Sequence, residues 1–229
     1  MSTRFKAIFL AVFAATLVLA SAASAAMVGI YRNGMETTAQ RSQLVKLSGK
    51  ECSRGGSESA LRITIGKATG ECSYRTPVIG RNMEIAATER LLSGTPKQAQ
   101  HGAYLGLVLR AGAGARFVML VYPLQKKVQV VKYASEKPAE YLAIEKNVTA
   151  VKGLNEANAL RFSLRETSQK GVAQVTASVN GTPVAEVADE SGSSYIPGQF
   201  SGVVVGAVKS GNGLMASVDD VTVRVPVNF

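Results

Sequence analysis

The stretch Val172-Ala173-Gln174-Val175-Thr176-Ala177-Ser178-Val179-Asn180-Gly181-Thr182-Pro183-Val184-Ala185-Glu186-Val187 decides the fold class. Apolar and polar residues alternate from Val175 to Val179, the period of a half-buried strand. Asn180-Gly181 then supplies the two positive-φ positions of a type I′ turn, the strongest short hairpin signal. A two-residue loop pairs Val179 with Thr182. Pro183 falls in the next pair, whose N–H faces away from the partner strand, so its missing donor costs the hairpin nothing.

The same device recurs outward in both directions. Residues 61–65, Leu61-Arg62-Ile63-Thr64-Ile65, alternate cleanly. Residues 105–110 and 116–122 are near-continuous apolar runs joined by Ala111-Gly112-Ala113-Gly114, a pattern suited to central strands of a sandwich. Residues 123–126 form a turn and 127–133 return from it. Residues 141–145, 160–164, 203–208 and 217–225 supply further strands. In residues 81–92, Met83, Ile85 and Ala87 suit one strand face, whereas Met83, Ala86, Ala87 and Leu91 suit a helix capped by Asn82. The β-rich surroundings select the strand. Residues 27–58 read weakly: a helical turn at 37–40, a strand at 43–47 and a loop at 52–59. Short strands with turn signals between them predict an all-β, two-sheet antiparallel jelly-roll sandwich. The expected organisation is a signal peptide at 1–25, an N-terminal extension and loop at 26–60, and the sandwich at 61–229.

The chain of 229 residues carries 26 Lys and Arg against 16 Asp and Glu, a net charge of +10. Arg4 and Lys6 form a positive n-region, residues 7–20 an uncharged apolar segment, and Ala23-Ser24-Ala25 a small-residue cleavage site. This predicts export to the periplasm or the cell exterior, with membrane attachment only if the segment stays uncleaved. The remaining basic residues are scattered, Lys132 among them, and read as a solvated surface. Their functional reading is attraction to acidic envelope polymers. Export and the lack of a recognition motif exclude nucleic acid as a partner. Cys52 and Cys72 are the only cysteines, and in an exported chain they read as one disulfide. The single His101 does not complete a zinc site with them.

From residue 61 to 225 the sequence resembles the concanavalin A-like lectin/glucanase jelly rolls, particularly laminin-G-like and 3-keto-disaccharide hydrolase-type domains. Gly106-Leu107-Val108-Leu109-Arg110 resembles a central strand of that superfamily, and residues 117–131 the hairpin after it. Asn158-Ala159-Leu160-Arg161-Phe162, Val179-Asn180-Gly181, Gly202-Val203-Val204-Val205-Gly206 and Val218-Asp219-Asp220-Val221-Thr222-Val223 are similar to later pieces in the same order. The resemblance implies a curved sheet offering a shallow groove for glycans. It also allows a structural calcium, with one of Asp219 and Asp220 as ligand, because the two carboxylates would point to opposite faces. No other cofactor is expected.

Catalytic patterns are absent from the sequence. Glucanases of the superfamily use carboxylates spaced by two along a strand, so that an acid and a nucleophile flank the sugar bond. Glu84 and Glu89 are five apart and fall on opposite faces. With Glu186, Asp189 and Glu190 they read as surface carboxylates. Gly55-Gly56-Ser57-Glu58-Ser59 lacks the last glycine of a nucleophile elbow. Trp is absent, which removes the best stacking surface, and Tyr122, Tyr133, Tyr141 and Tyr195 are the tyrosines placed to reach the surface as sandwich residues with a wet hydroxyl. The reading is a non-catalytic lectin-like sandwich that binds a glycan or another envelope component. Its alternatives are a carbohydrate-active enzyme with an unfamiliar site and a structural domain without a small ligand. Arg110, Arg116, Tyr122 and Tyr133 are the candidate binding residues, the arginines because guanidinium forms directed hydrogen bonds to hydroxyls and carboxylates.

Overall fold

Alternating residues become strands because one face of each finds a partner sheet. A computed structural model describes residues 27–49, 51–57, 59–66, 70–112, 115–134, 137–169, 171–190, 199–208 and 212–226. The predicted signal segment, the Ala113-Gly114 half of the predicted turn and Tyr195 lie outside them. The strands are β1 (Met27–Asn33), β2 (Val45–Ser48), β3 (Cys52–Ser57), β4 (Ala60–Ile65), β5 (Glu71–Gly80), β6 (Met83–Leu91), β7 (Ala103–Gly112) and β8 (Ala115–Tyr122). They continue with β9 (Lys127–Tyr133), β10 (Glu140–Glu145), β11 (Asn158–Glu166), β12 (Ala173–Val179), β13 (Thr182–Asp189), β14 (Gln199–Ala207) and β15 (Met215–Pro226). Two short α-helices, α1 (Thr38–Ser42) and α2 (Lys97–Gln100), and a 3-10 turn at Pro123–Gln125 complete the order among the described residues. Among the described residues no helix is long and apolar enough to cross a membrane.

The first sheet runs β13-β12-β11-β6-β15-β4-β3, with β1 also paired to β15; the second runs β10-β9-β8-β7-β14-β5-β2. All pairs are antiparallel, and the two sheets make the predicted sandwich. The hairpin β12–β13 turns at Asn180 (φ 50°) and Gly181 (φ 80°), with Val179 opposite Thr182 and Ser178 opposite Pro183. A bulge follows between Ala177 and Ser178 and shifts the pairing of β13. The Asn180 side chain also ties the turn to its neighbours, accepting from Ala159 N–H at 2.9 Å and donating to the Ala150 carbonyl at 2.7 Å.

The core sits between the sheets. On β6 every second residue from Met83 to Leu91 is buried, which settles the helix-or-strand choice for that segment. The apolar runs of β7 and β8 are continuous because both faces are buried. Leu105, Leu107, Leu109, Phe117, Met119 and Val121 join the core. Val108 and Val118 belong to a second cluster on the outer side, with Val131 and Val204.

Residues 27–57 are built into both sheets: β1 pairs with β15, β3 with β4 and β2 with β5. The expected loop at 52–59 is therefore largely strand. Thr37 caps α1 in a capping box with Gln40. Cys52 on β3 and Cys72 on β5 are joined by a disulfide, with 5.9 Å between their Cα atoms. The bond ties an edge strand of the first sheet to the second sheet.

Several charges read as surface groups are interior. Glu89 points into the core from β6 and is fully buried. Lys132 and Asp189 are both buried, and Lys132 Nζ lies 2.9 and 2.8 Å from the two Asp189 carboxylate oxygens. This pair links β9 of one sheet to the end of β13 in the other. Charges do not survive burial alone, so the partner on the opposite sheet is what makes an interior lysine tolerable.

Candidate functional site

The outer face of the second sheet gathers most of the chemistry. Period two turns Tyr104, Gly106 and Val108 of β7 outward together with Arg116, Val118, Leu120 and Tyr122 of β8. Cross-strand register sets Arg116 opposite Tyr133 and Tyr122 opposite Lys127. Each pair stacks a cation on a ring: the Arg116 guanidinium lies 4.8 Å from the Tyr133 centroid, and Lys127 Nζ 3.8 Å from that of Tyr122. The Tyr104 and Tyr122 rings are 5.6 Å apart and tilted.

Glu71 closes the arrangement from β5. It accepts from the Tyr104 hydroxyl at 3.0 Å and pairs with Arg116 at 2.7 Å. These two contacts define the shape of the face. Glu71 is level with Gly206 and Tyr104 in the register, whereas Arg116 is level with the far end of β7, three strands away. In a flat sheet three strand spacings alone are about 14 Å, and six residues along the strand add about 20 Å. An arginine and a glutamate together do not span that diagonal. The sheet must curl so that its outer face is a trough, floored by Val108, Val118, Val131 and Val204. Gly206 is part of the design, because a Cβ there would stand 2.4 Å from the Tyr104 hydroxyl oxygen.

Electrostatics follow from this closure. Burial, reinforced by the Glu71 charge, pushes the Tyr104 hydroxyl far above the ordinary tyrosine range, so it stays a donor to that carboxylate. Burial pushes Tyr122 up to about 12. Burial also raises Tyr133, with Arg116 opposing. At the rim, Tyr141 of β10 stands opposite Val131, on the same face, and is 56% exposed. The valine floor, Tyr104 and Tyr122 are buried beneath this layer, so the face presents the partly exposed Arg116 guanidinium and Glu71 carboxylate and the accessible Tyr141 ring. Among the described residues Glu71 is the one carboxylate that this sheet turns to its outer face.

Of the four residues expected to bind, the structure brings Arg116, Tyr122 and Tyr133 together. Arg110 is not with them. A bulge between Leu109 and Gly112 sets Arg110 at φ 51° and turns it inside. There it is fully buried, donating to the Arg81 carbonyl at 2.8 Å and to Glu166 at 3.0 Å. Burial lowers its pKa and Glu166 opposes that shift. Sequence reading missed Tyr104 and Glu71. Period two carried the signal for both, since Tyr104 shares a face with Val108, and Glu71 precedes the inward Cys72.

Asp219 and Asp220 also differ from expectation. A one-residue bulge separates the pair Asp219–Thr88 from Thr222–Ala86, and Asp220 adopts φ 49°. Val218 and Val221 both face the core, so the two carboxylates share the outer side instead of lying on opposite faces. Asp219 accepts from the Asp220 N–H at 2.8 Å; burial raises its pKa and that hydrogen bond opposes the rise. Among the described residues no three His, Cys, Asp or Glu side chains converge as a ligand set.

No protein-family model matches the sequence, and no curated protein matches it. Solved structures do match the fold. The carbohydrate-binding module CBM66 from Bacillus subtilis aligns with 79% of this chain and 94% of its own, at 14% identity and TM-score 0.56. The carbohydrate recognition domain of Emp46p, in its metal-free form, aligns with 87% of this chain and 97% of its own, at 13% identity and TM-score 0.58. The apo Crh5 transglycosylase aligns with 87% and 84%, at 12% identity and TM-score 0.55. The fold is that of the galectin-like and lectin-type jelly rolls, as the sequence resemblance implied.

Proposed function

We propose that the protein is an exported, non-catalytic carbohydrate-binding sandwich whose ligand lies in the trough of the second sheet. The observation that carries the reading is the trough itself, in which Arg116 and Glu71 meet over an apolar floor beside the exposed Tyr141 ring. Arg116 supplies directed donors to sugar hydroxyls, Glu71 accepts from them, and Tyr141 offers an apolar face with a wet hydroxyl. The fold neighbours described as a carbohydrate-binding module and a carbohydrate recognition domain support this assignment. The non-catalytic part rests on the lone carboxylate: glycoside hydrolysis needs two, about 5 to 10 Å apart across the bond. The export part rests on the n-region, the apolar segment and the disulfide.

The test is a glycan array with the purified protein, followed by calorimetry on whatever is retained. Arg116→Ala and Tyr141→Ala should each weaken binding about tenfold, a loss equal to one good charged hydrogen bond or stacking contact. An array with no retained glycan, or variants that bind as well as the parent, would reject the trough as the site. Release of reducing ends from a bound glycan would reject the non-catalytic reading.

A further inference from the structure

The two sheets use different cations. The eight strands of the first sheet contain seven arginines and no lysine. Those of the second mix Arg75, Arg110 and Arg116 with Lys46, Lys127 and Lys132. Six of the seven point outward from the first sheet. Arg54, opposite the inward Ile63, is the exception, and its guanidinium donates to the Leu44 carbonyl at 2.9 Å.

Register places three of the six on two neighbouring rows of that face. Ser178, Arg161, Ala86, Thr222 and Arg32 form a single row across β12, β11, β6, β15 and β1. Arg161 and Arg32 are three strand spacings apart, about 14 Å, with only the small Ala86 and Thr222 between them. The adjacent row carries Ser163, Glu84 and Arg224. A cleft of about 380 Å³ opens beside Arg161, floored by Ala86, Thr88, Ala159 and Ser178 and edged on its other side by Asp220, with Arg224 and Arg32 on the same face outside it. Arg161 and Arg224 are about half exposed, and both lean on one oxygen of Glu84, at 3.6 and 3.4 Å. These are long contacts, and a single carboxylate oxygen leaves most guanidinium donors facing solvent.

We propose that this outer face of the first sheet is a second binding surface, specific for a linear carboxylated polysaccharide. Arginine's planar fork matches a carboxylate through two parallel hydrogen bonds, which lysine cannot do. Glu84 shows that a carboxylate fits between Arg161 and Arg224, and it sits where a uronate carboxylate would bind. The Thr and Ser hydroxyls of the floor are partners for sugar hydroxyls. No aromatic ring lines the cleft, which disfavours stacked neutral sugars and nucleobases. An anionic membrane is also the poorer fit, because Arg161 edges a recess and the same rows present no apolar wedge. The proposal is independent of the trough on the other sheet.

The probe is polygalacturonate, with its methyl-esterified form as an uncharged control of identical backbone and anionic phospholipid vesicles as the competing surface. The purified protein should bind polygalacturonate, less tightly as salt rises, and should not bind the ester. The double variant Arg161→Ala/Arg224→Ala should lose at least about tenfold in affinity while keeping its circular dichroism. Arg161→Lys/Arg224→Lys should also weaken binding, because the charge remains and the fork is lost. Glu84→Gln should tighten binding, since the resident competitor loses its charge, an outcome no purely structural role for Glu84 produces. Arg116→Ala should leave polygalacturonate binding unchanged, which separates this face from the trough. Equal binding of the ester, full affinity in the double alanine variant, no gain in Glu84→Gln, or binding to vesicles in place of the polymer would each overturn the proposal.

Discussion

Replacing Glu89 by Gln should abolish a fall in stability that the parent protein shows as pH rises. Glu89 lies opposite Val218 and Asn158 and points into the core. One carboxyl oxygen accepts from the Gly106 N–H of the facing sheet at 2.9 Å; the other, Oε1, has no hydrogen-bond partner. Burial raises its pKa well above the ordinary glutamate range, and the Gly106 N–H only partly opposes this. The folded pKa therefore exceeds the unfolded value of about 4.3. Below that unfolded value both states hold the proton and the full stability is present. Above it the unfolded chain loses the proton that the native state keeps, so unfolding is favoured by about 1.4 kcal/mol per pH unit until the folded pKa is passed. For a domain of this size that lowers Tm by about 3–5 °C per unit. Urea unfolding of parent and Glu89→Gln from pH 5 upward isolates the effect. Gln retains an acceptor for Gly106 N–H and cannot ionise, so its advantage should grow with pH. Parallel profiles for the two proteins would refute the reasoning. Glu89→Leu supplies a check on the hydrogen bond, because it leaves the Gly106 N–H unsatisfied at a cost of about 1–3 kcal/mol at every pH.

Lys132→Met should destabilise the fold by about 3–5 kcal/mol by removing the ammonium that contacts both oxygens of the buried Asp189 carboxylate, and the double change with Asp189→Leu should recover most of the loss; denaturant midpoints decide. Gly106→Ala should prevent stable folding, since its Cβ would stand 2.0 Å from the Met119 carbonyl oxygen, a backbone atom that cannot step aside; soluble yield and circular dichroism report it. Cys52→Ser/Cys72→Ser should cost about 3 kcal/mol, the entropy of closing a loop between residues 20 apart, and reduction of the parent should reproduce the shift.

The fold was legible where strands are buried on one face and illegible where they are not. The β12–β13 hairpin, β6 and β9 announce themselves because burial imposes period two on their composition. β2 is exposed throughout, and β3 carries Gly55-Gly56. Edge strands such as these are held by backbone pairing to distant partners, which selects no side-chain pattern. β1 depends on β15, almost two hundred residues away. No local reading couples segments at that separation, so residues 27–57 looked like an extension.

The candidate site divides along the same physical line. The register of β8 with β9 brings Arg116, Tyr122 and Tyr133 to a shared face, and plain alternation along β7 would add Arg110, in step with Tyr104, Gly106 and Val108. One bulged residue withdraws it. Asp220 repeats the lesson on β15, where an extra residue moves a carboxylate across the sheet. Neither bulge contains glycine at its left-handed position, so neither left the usual mark in the sequence. Both bulges also determine chemistry. The first withdraws Arg110 from the trough, leaving Arg116 as the arginine that meets Glu71. The second brings Asp220 to the edge of the cleft beside Arg161. What each face of this sandwich can bind is thus set by two backbone irregularities that alternation alone does not predict.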